Sequence, residues 1–177
     1  MKKTGAKKAW DVISSIIVVL VVILALLLVG ARLVGLNVYT VISGSMEPTY
    51  SVGDLLYVKK VAPESINVGD PITFVLNEDL IVATHRVIEI DAANQHFYTK
   101  GDANEVADAA PVHFKNLIGK PVFAVPLLGY VSNWVQNPPG TYIAIGGGAL
   151  ILLIAFLPDM LGRKKEEAEE KEPSETP

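Results

Sequence analysis

The chain of 177 residues contains no cysteine and only three histidines. The missing cysteines exclude structural disulfides, thiol catalysis and cysteine-ligated metal centres. No His-Glu-x-x-His motif accompanies the histidines, so the sequence implies neither a zinc site nor any other cofactor. With a formal net charge of −4, the chain lacks the excess of basic residues that is typical of nucleic-acid-binding proteins. Any catalytic chemistry must therefore come from hydroxyl, imidazole, amine or carboxylate groups.

Apolar sequence is present in excess, because half of the residues are hydrophobic and many of them lie in two uncharged runs. The first run, Val12 to Ala31, has 20 residues and follows four lysines. A helix of this length spans about 30 Å, the thickness of a bilayer core. The run is longer than the apolar region of a cleaved signal peptide, and no A-x-A site closes it. The pattern predicts an uncleaved transmembrane anchor over residues 12–34, after a basic cytoplasmic N-terminus over residues 1–11.

The second run, Gly140 to Leu157, has 18 residues without a charge and predicts a second transmembrane helix over residues 139–158. Three consecutive glycines within it leave a buried hairpin as the alternative. Basic residues flank both runs on their outer sides, which by the positive-inside rule places both termini in the cytoplasm. The expected location is the plasma membrane, with residues 37–137 on its outer side. The charged tail, residues 159–177, is expected to be disordered.

Residues 37–137 contain short apolar, β-branched runs separated by turn signals. No run in this region has a long helical period. The pattern predicts a mainly β domain, an antiparallel sheet of six or more strands with little helix, flanked by the two transmembrane helices. The runs are LNVYTVI, DLLYVKKV, PITFVL, LIVATHRVIEI, HFYTK and PVFAVPLLG, and the turns include Val-Gly-Asp at 52–54 and 68–70 and Asn-Glu-Asp-Leu at 77–80.

One turn carries a chemically distinctive sequence, Ser-Gly-Ser-Met-Glu-Pro-Thr over residues 43–49. Taken alone, Ser-Gly-Ser is typical of a polar turn, and the alternative is that one serine is a nucleophile. The longer pattern S-G-S-M-x-P-T, followed by V-G-D and Tyr57-Val58, resembles the nucleophile box of type I signal peptidases, membrane-bound serine proteases that remove signal peptides. This resemblance implies that Ser45 is the nucleophile. It also implies that Ser43, together with the Ser45 backbone N–H, binds the oxyanion.

A serine nucleophile needs an adjacent base to take its proton. The stretch Ala-Thr-His-Arg-Val over residues 83–87 resembles the segment in which one branch of the family carries a lysine base, and His85 stands at the position of that lysine. It is similar to the endoplasmic-reticulum-type branch, found also in archaea and some bacteria, which uses histidine. Imidazole exchanges protons near neutral pH, whereas a lysine base would need burial. Taken alone, His85 is better interpreted as a histidine paired within a sheet. Lys59 and Lys60 are rival bases, because strand alternation puts them on opposite faces and one could face inward, but solvated strand charges are the preferred interpretation for both.

The stretch Thr-Lys-Gly-Asp-Ala-Asn-Glu-Val-Ala-Asp, residues 99–108, supplies two carboxylates and resembles the final box of the family, G-D-x-N-x-x-x-D. A histidine base gains from an acid on its other nitrogen. The resemblance implies that Asp108 is this acid and that Asp102 supports the site. The opposite assignment stays open, as does an ordinary β-turn at Gly101-Asp102.

The resemblance implies a membrane-bound serine endopeptidase of the signal peptidase I type that acts through an acyl-enzyme. Extended substrates would bind beside the site, with small side chains in shallow pockets for which Val41, Ile42 and Ala83 are the candidate lining. The expected partners are signal-peptide-bearing preproteins, membrane lipid, and a translocon or accessory membrane subunits. Two alternatives stay open: a protease dedicated to a few secreted precursors, and a non-enzymatic membrane-anchored β domain that binds a partner.

Overall fold

The computed structural model describes the backbone of residues 5–76 and 81–169 and the side chains of residues 9, 10, 12–76 and 81–155. The predicted turn at 77–80 lies outside these ranges. The chain divides into two compact units, one formed by residues 27–136 and the other by residues 1–26 with 137–177. The chemically distinctive residues all lie in the first of these units.

The unit formed by residues 27–136 is built on one antiparallel sheet, as the sequence predicts. In the described part of the chain the sheet has seven strands, in the order β1-β2-β7-β3-β4-β5-β6. The second half of PVFAVPLLG is not strand, because it turns into helix α3. The strands are β1 Leu36–Thr40, β2 Leu55–Lys59, β3 Pro71–Val75, β4 Val82–Asp91, β5 His96–Lys100, β6 Val112–His113 and β7 Leu117–Val125, and α3 is Leu128–Gln136.

Two hydrophobic clusters hold the sheet together. All four side chains from Leu55 to Val58 are buried, so strand β2 is covered on both faces and does not show the alternation of an exposed strand. Tyr57 adds a hydrogen bond from its hydroxyl to the Leu27 carbonyl oxygen, at 2.8 Å. The members of the first cluster are Ile66, Ile72, Phe74, Val87, Phe97 and Val112, and those of the second are Ala31, Leu55, Tyr57 and Leu128.

The two Val-Gly-Asp sequences form equivalent turns, which confirms their prediction as turn signals. Gly53 and Gly69 have φ angles of 92° and 93°, a region that favours glycine. In each turn the carboxylate of the following aspartate, Asp54 or Asp70, accepts a hydrogen bond from the backbone N–H three residues earlier, at 2.9 and 3.0 Å. The tripeptide therefore occurs twice because the same type of turn is formed twice.

The N-terminal apolar run is helical, as predicted for the anchor. It comprises α1 Gly5–Ala25, a π-helical stretch Leu26–Gly30 and α2 Ala31–Leu33. Within it, residues Val12–Leu33 form the one helix of the described chain that is, taken alone, long and apolar enough to cross a membrane. The fold is thus a mainly antiparallel β domain with one N-terminal apolar helix.

The second transmembrane helix predicted over residues 139–158 is not supported. Helix α4, Gly140–Glu169, begins where the sequence predicts it. In the described residues it qualifies as a span only if it is counted together with α3 as one interrupted span. The uncharged run itself has 18 residues, slightly fewer than the roughly 20 that a bilayer core requires.

Residues 159–169 of the predicted disordered tail belong to helix α4, which continues to Glu169. Alanine, glutamate and lysine dominate the end of this segment, and all three have high helix propensity. High charge alone therefore did not distinguish a disordered tail from a solvated helix. Residues 170–177, the rest of the predicted tail, lie outside the described residues.

Candidate active site

Ser45 lies in the turn that follows strand β1, and this turn is fixed on two sides. Met46 is buried and anchors the turn in the domain. The Ser45 carbonyl oxygen accepts a hydrogen bond from the Ala103 backbone N–H at 2.9 Å. A Cβ atom at Gly101 would lie 2.5 Å from the same carbonyl oxygen, so only glycine permits this approach. The serine turn is therefore docked directly on the turn at residues 101–104.

His85 lies in strand β4 and brings the predicted residues into one chain of hydrogen bonds. Its Nε2 atom is 3.1 Å from Ser45 Oγ, and its Nδ1 atom is 2.6 Å from Asp108 Oδ2. The side chains of His85 and Asp108 are only 15% and 18% exposed. With the proton on Nδ1, the imidazole donates to the carboxylate and leaves Nε2 to accept from the serine hydroxyl. This is the arrangement that a serine nucleophile with a histidine base requires.

Ser43 lies beside the nucleophile candidate, with its Oγ atom 3.3 Å from Ser45 Oγ. This separation places the two hydroxyl groups side by side in the turn.

Asp108 is held by a residue that sequence reasoning missed. The hydroxyl of Thr99, in strand β5, donates to Asp108 Oδ2 at 2.6 Å, and the Asp108 backbone N–H donates to the Thr99 carbonyl oxygen at 2.9 Å. Thr99 is 1% exposed. Only the alternation of HFYTK, which points Thr99 and Phe97 to the same buried side, could have indicated it.

Asp102 has different partners from Asp108. Arg86 donates to both oxygens of its carboxylate, from Nε at 2.7 Å and from Nη2 at 2.6 Å, and Thr49 Oγ1 donates to Oδ2 at 2.6 Å. The Arg86 hydrogen bond, assisted by that of Thr49, holds the pKa of the Asp102 carboxyl below its ordinary value, against the opposing effect of burial. Asp102 also raises the pKa of the Arg86 guanidinium.

Arg86 and Thr49 were present in the quoted motifs but received no role from the sequence. Arg86 follows His85, so strand alternation turns it to the other face of β4, where Asp102 lies. The Arg86 Nη1 atom also donates to the Gly69 carbonyl oxygen at 2.7 Å. The ion pair thereby ties β4 to the turn before β3 and to the serine turn. The sequence does show that His85 and Arg86 are adjacent, which puts their side chains on opposite faces of a strand. It does not show which residue each of them contacts.

The rival bases Lys59 and Lys60 lie apart from this group. Both side chains are exposed, at the end of strand β2. This agrees with their interpretation as solvated charges, because strand β2 is buried on both faces before Lys59 and ends there.

A cleft of about 360 Å³ opens at Ser45 and His85. The three residues predicted to line a substrate site, Val41, Ile42 and Ala83, all border it. Its walls are mostly apolar, and they come from the segment after β1 and from β4. The remaining lining residues are Thr40, Ser43, Met46, Tyr50, Leu56, Leu76, Ile81, Val82, Thr84 and Asn104.

Asp102→Asn should destabilise the protein in a pH-dependent way. The lowered pKa means that the carboxylate contributes stability above its unfolded value, about 3.9, and that this contribution is lost as pH falls through the folded value. We expect a loss of roughly 1–3 kcal/mol at pH 7, typical of hydrogen bonds to a charged group. The loss should shrink below about pH 4, where the carboxyl of the unfolded chain begins to take up a proton, and it should vanish only below the lowered folded value.

Urea unfolding of the full chain in detergent, followed by circular dichroism between pH 3 and pH 8, measures this effect. Glu64→Gln is the matched control, because Glu64 is an exposed carboxylate in the same unit. A loss of stability for Asp102→Asn that is equal at every pH would contradict the proposed role of the ion pair.

Comparison with known proteins gives one family. Its model, described as "Signal peptidase, peptidase S26", matches residues 13–122. Signal peptidase I W of Bacillus subtilis (strain 168) is 35% identical over 117 residues, which are 60% of this chain and 61% of the relative. The signal peptidase complex catalytic subunit SEC11C of Rattus norvegicus is 31% identical over 128 residues, 66% and 67% of the two chains. The corresponding SEC11 subunit of Plasmodium falciparum (isolate 3D7) is 28% identical over 169 residues, 87% and 90%.

The alignments with the bacterial and rat relatives thus span roughly three fifths to two thirds of those proteins. The family match covers residues 13–122, which are more than half of this chain. That range includes both serines of the turn, the strand with His85 and both carboxylates of the final box. The chain therefore belongs to the signal peptidase family, peptidase S26.

Proposed function

We propose that this chain is a membrane-anchored serine endopeptidase that removes N-terminal signal peptides from secreted preproteins. The observation that carries the proposal is the continuous hydrogen-bonded series from Ser45 through His85 to Asp108, at the mouth of an apolar cleft. Membership of the signal peptidase family supports the same reaction. A β domain that only binds a partner would not need a serine, a histidine and an aspartate joined by hydrogen bonds in this order.

The reaction begins when His85 Nε2 accepts the proton of Ser45 Oγ as the oxygen attacks the scissile carbonyl carbon. The carbonyl oxygen becomes an oxyanion, for which the Ser45 backbone N–H and the Ser43 hydroxyl are the proposed donors. The imidazolium then gives its proton to the leaving amine, and an acyl-enzyme remains. Water, deprotonated by the same imidazole, attacks the ester and releases the signal peptide with a free carboxylate.

Asp108 orients His85 in this mechanism. Its carboxylate accepts the Nδ1 proton, which fixes the tautomer and stabilises the imidazolium that forms during attack. Asp102 acts from a distance, because its ion pair with Arg86 holds the 101–104 turn on which the serine turn rests. The two carboxylates thus have separate tasks, one toward the base and one toward the scaffold.

The cleft suits an extended peptide with small side chains. Val41 and Ala83 line it together with Ser45, and exposed Ile42 borders it as well. A substrate strand could lie along the segment after β1, with alternate side chains entering the cleft. The apolar anchor would keep the enzyme at the bilayer, where the apolar helix of a signal peptide ends, and so raise the effective concentration of substrate.

Two further parts of the proposal concern partners and topology. The rat and Plasmodium relatives are catalytic subunits of a signal peptidase complex, which supports accessory membrane subunits for this chain as well. The basic residues outside both apolar runs support cytoplasmic termini and an outer catalytic domain at the plasma membrane. The exposed apolar side chains of α4, such as Ile145 and Leu152, support membrane insertion of this helix too.

Ser45→Ala and His85→Ala should each lower kcat for a preprotein by about 10⁴-fold or more, because each removes one part of a unit that works only as a whole. Asp108→Asn should lower it by about 10⁴-fold, since the imidazole would lose its correct tautomer. Cleavage of a purified preprotein in proteoliposomes, followed by gel shift and N-terminal sequencing of the product, measures these effects.

The control is the double variant Lys59→Ala, Lys60→Ala, which should keep wild-type cleavage because both lysines are exposed. Retained cleavage with Ser45→Ala would refute the serine mechanism. Loss in the lysine double variant together with retention in His85→Ala would instead identify a lysine base.

Topology can be read from single cysteines, because the chain has none of its own. Asn94→Cys, in the β4–β5 hairpin, should react with a membrane-impermeant maleimide added to intact cells. Ser174→Cys, in the C-terminal tail, should react only after lysis. Labelling of the tail in intact cells, with or without labelling at position 94, would contradict the proposed two-span arrangement.

A further inference from the structure

The two residues that flank the proposed proton transfer are held differently by the fold. His85 lies within strand β4, whereas Asp108 lies in the loop between strands β5 and β6, outside any helix or strand. Loops are in general held less rigidly than the strands that they connect. The 2.6 Å contact between Asp108 Oδ2 and His85 Nδ1 therefore depends on whatever ties this loop to the sheet.

Thr99, in strand β5, ties the loop to the sheet by two separate hydrogen bonds. Its carbonyl oxygen accepts from the Asp108 backbone N–H at 2.9 Å, and its hydroxyl donates to Asp108 Oδ2 at 2.6 Å. The first contact fixes the main chain of Asp108. The second fixes the rotation of its carboxylate. One residue thus holds the acid at both ends of its side chain.

The position of Thr99 relative to His85 is set by the sheet. Strands β4 and β5 pair antiparallel with Val87 opposite Thr99, and residues two apart in a strand point to the same face. His85, Val87 and Thr99 therefore share one face. Thr99 is almost completely buried, on the same side of β5 as Phe97, and a β-branched side chain has few rotamers. Its hydroxyl consequently has a fixed direction.

The hydroxyl meets the carboxylate at the oxygen that the base uses. Thr99 Oγ1 and His85 Nδ1 are both 2.6 Å from Asp108 Oδ2. An ionised carboxylate only accepts hydrogen bonds, so both groups donate to this oxygen. The imidazole proton on Nδ1 is shared with the acid, whereas the threonine proton takes no part in the proposed reaction. The oxygen that orients the imidazole is thus itself placed by a donor from the neighbouring strand.

We propose that Thr99 is a positioning residue for the peptidase reaction, a role that rests on the proposed function. Its contacts set the orientation of the Asp108 carboxylate and, through it, that of the His85 ring toward Ser45. The alternative role is packing, because a buried threonine also fills space in a sheet. The two roles depend on different groups of one side chain, the hydroxyl for positioning and the methyl for packing.

Three substitutions at position 99 separate these groups. Thr99→Val removes the hydroxyl and keeps the shape of the side chain. Thr99→Ser and Thr99→Ala both remove the methyl group, and only the alanine variant also lacks the hydroxyl. The serine and alanine pair tests the proposal even if the valine variant does not fold. Urea unfolding of each full-length variant in detergent establishes which of them are folded.

We expect kcat for cleavage of a preprotein in proteoliposomes to fall by about 10-fold or more in Thr99→Val, the equivalent of one hydrogen bond to a charged group. Thr99→Ser should retain most of the activity, and Thr99→Ala should be about 10-fold slower than the serine variant. KM should be unchanged in all three, because Thr99 is not among the described residues that line the cleft.

A double-mutant cycle with Asp108→Ala gives a readout that packing would not change. Without the carboxylate there is nothing for the hydroxyl to orient, so Thr99→Val should then have little further effect on kcat. An additional 10-fold loss in this background would refute the proposal, because the effect of Thr99 would not pass through Asp108.

Equal kcat values in the serine and alanine variants would also refute it, since the hydroxyl would then be dispensable. Wild-type kcat in the valine variant would have the same meaning. Failure of the proposed function is recognised separately, because Ser45→Ala would then retain cleavage regardless of the residue at position 99.

Discussion

The candidate site depends on the docking of two turns that are more than fifty residues apart in the sequence. The Ser45 carbonyl accepts a hydrogen bond from the Ala103 N–H, and the Thr49 hydroxyl reaches Asp102 in the same turn. Strand β4 supplies His85 and Arg86 on its two faces. His85 therefore contacts Ser45, and Arg86 forms its ion pair with Asp102. If these turns separated, the distance from Ser45 Oγ to the imidazole would change first.

The two carboxylates of the final box show how one short segment serves both chemistry and folding. Asp102 is compensated by the Arg86 guanidinium, whereas Asp108 is paired with His85 and Thr99. A carboxylate with a permanent cation beside it is a stable structural element. A carboxylate beside imidazole instead meets a partner whose charge changes during the reaction. This difference in partners, and not the spacing along the chain, is the basis for the separate tasks proposed for them.

Much of the fold could be predicted from the sequence. Short β-branched runs and two Val-Gly-Asp turns indicate an antiparallel sheet, because alternation and turn chemistry are local properties. Helix α3 and strand β6 were missed, since PLLG resembles the end of a strand and a two-residue strand has no pattern of its own. Helix α4 begins where the sequence predicts it but continues to Glu169, beyond the predicted end at residue 158, because charged residues of high helix propensity extend it.

The site could be predicted only in part for a similar reason. The motif resemblance named Ser45, His85 and both aspartates, but the choice between the aspartates needed the faces of β4 in three dimensions. Their catalytic roles stay predictions, as does that of Ser43. Thr99, Arg86 and Thr49 were missed because none of them is chemically unusual by itself; each matters through a partner far away in the chain.

The close approach at Gly101 has a consequence for how the protein tolerates change. Position 101 has no room for even a methyl group, since the Ser45 carbonyl oxygen occupies that space. A random substitution there would push the serine turn outward while leaving all chemical groups intact. A position that contributes no functional group would thus control the geometry of the serine turn, and a substitution there could inactivate the protein while every residue with a proposed catalytic role is kept.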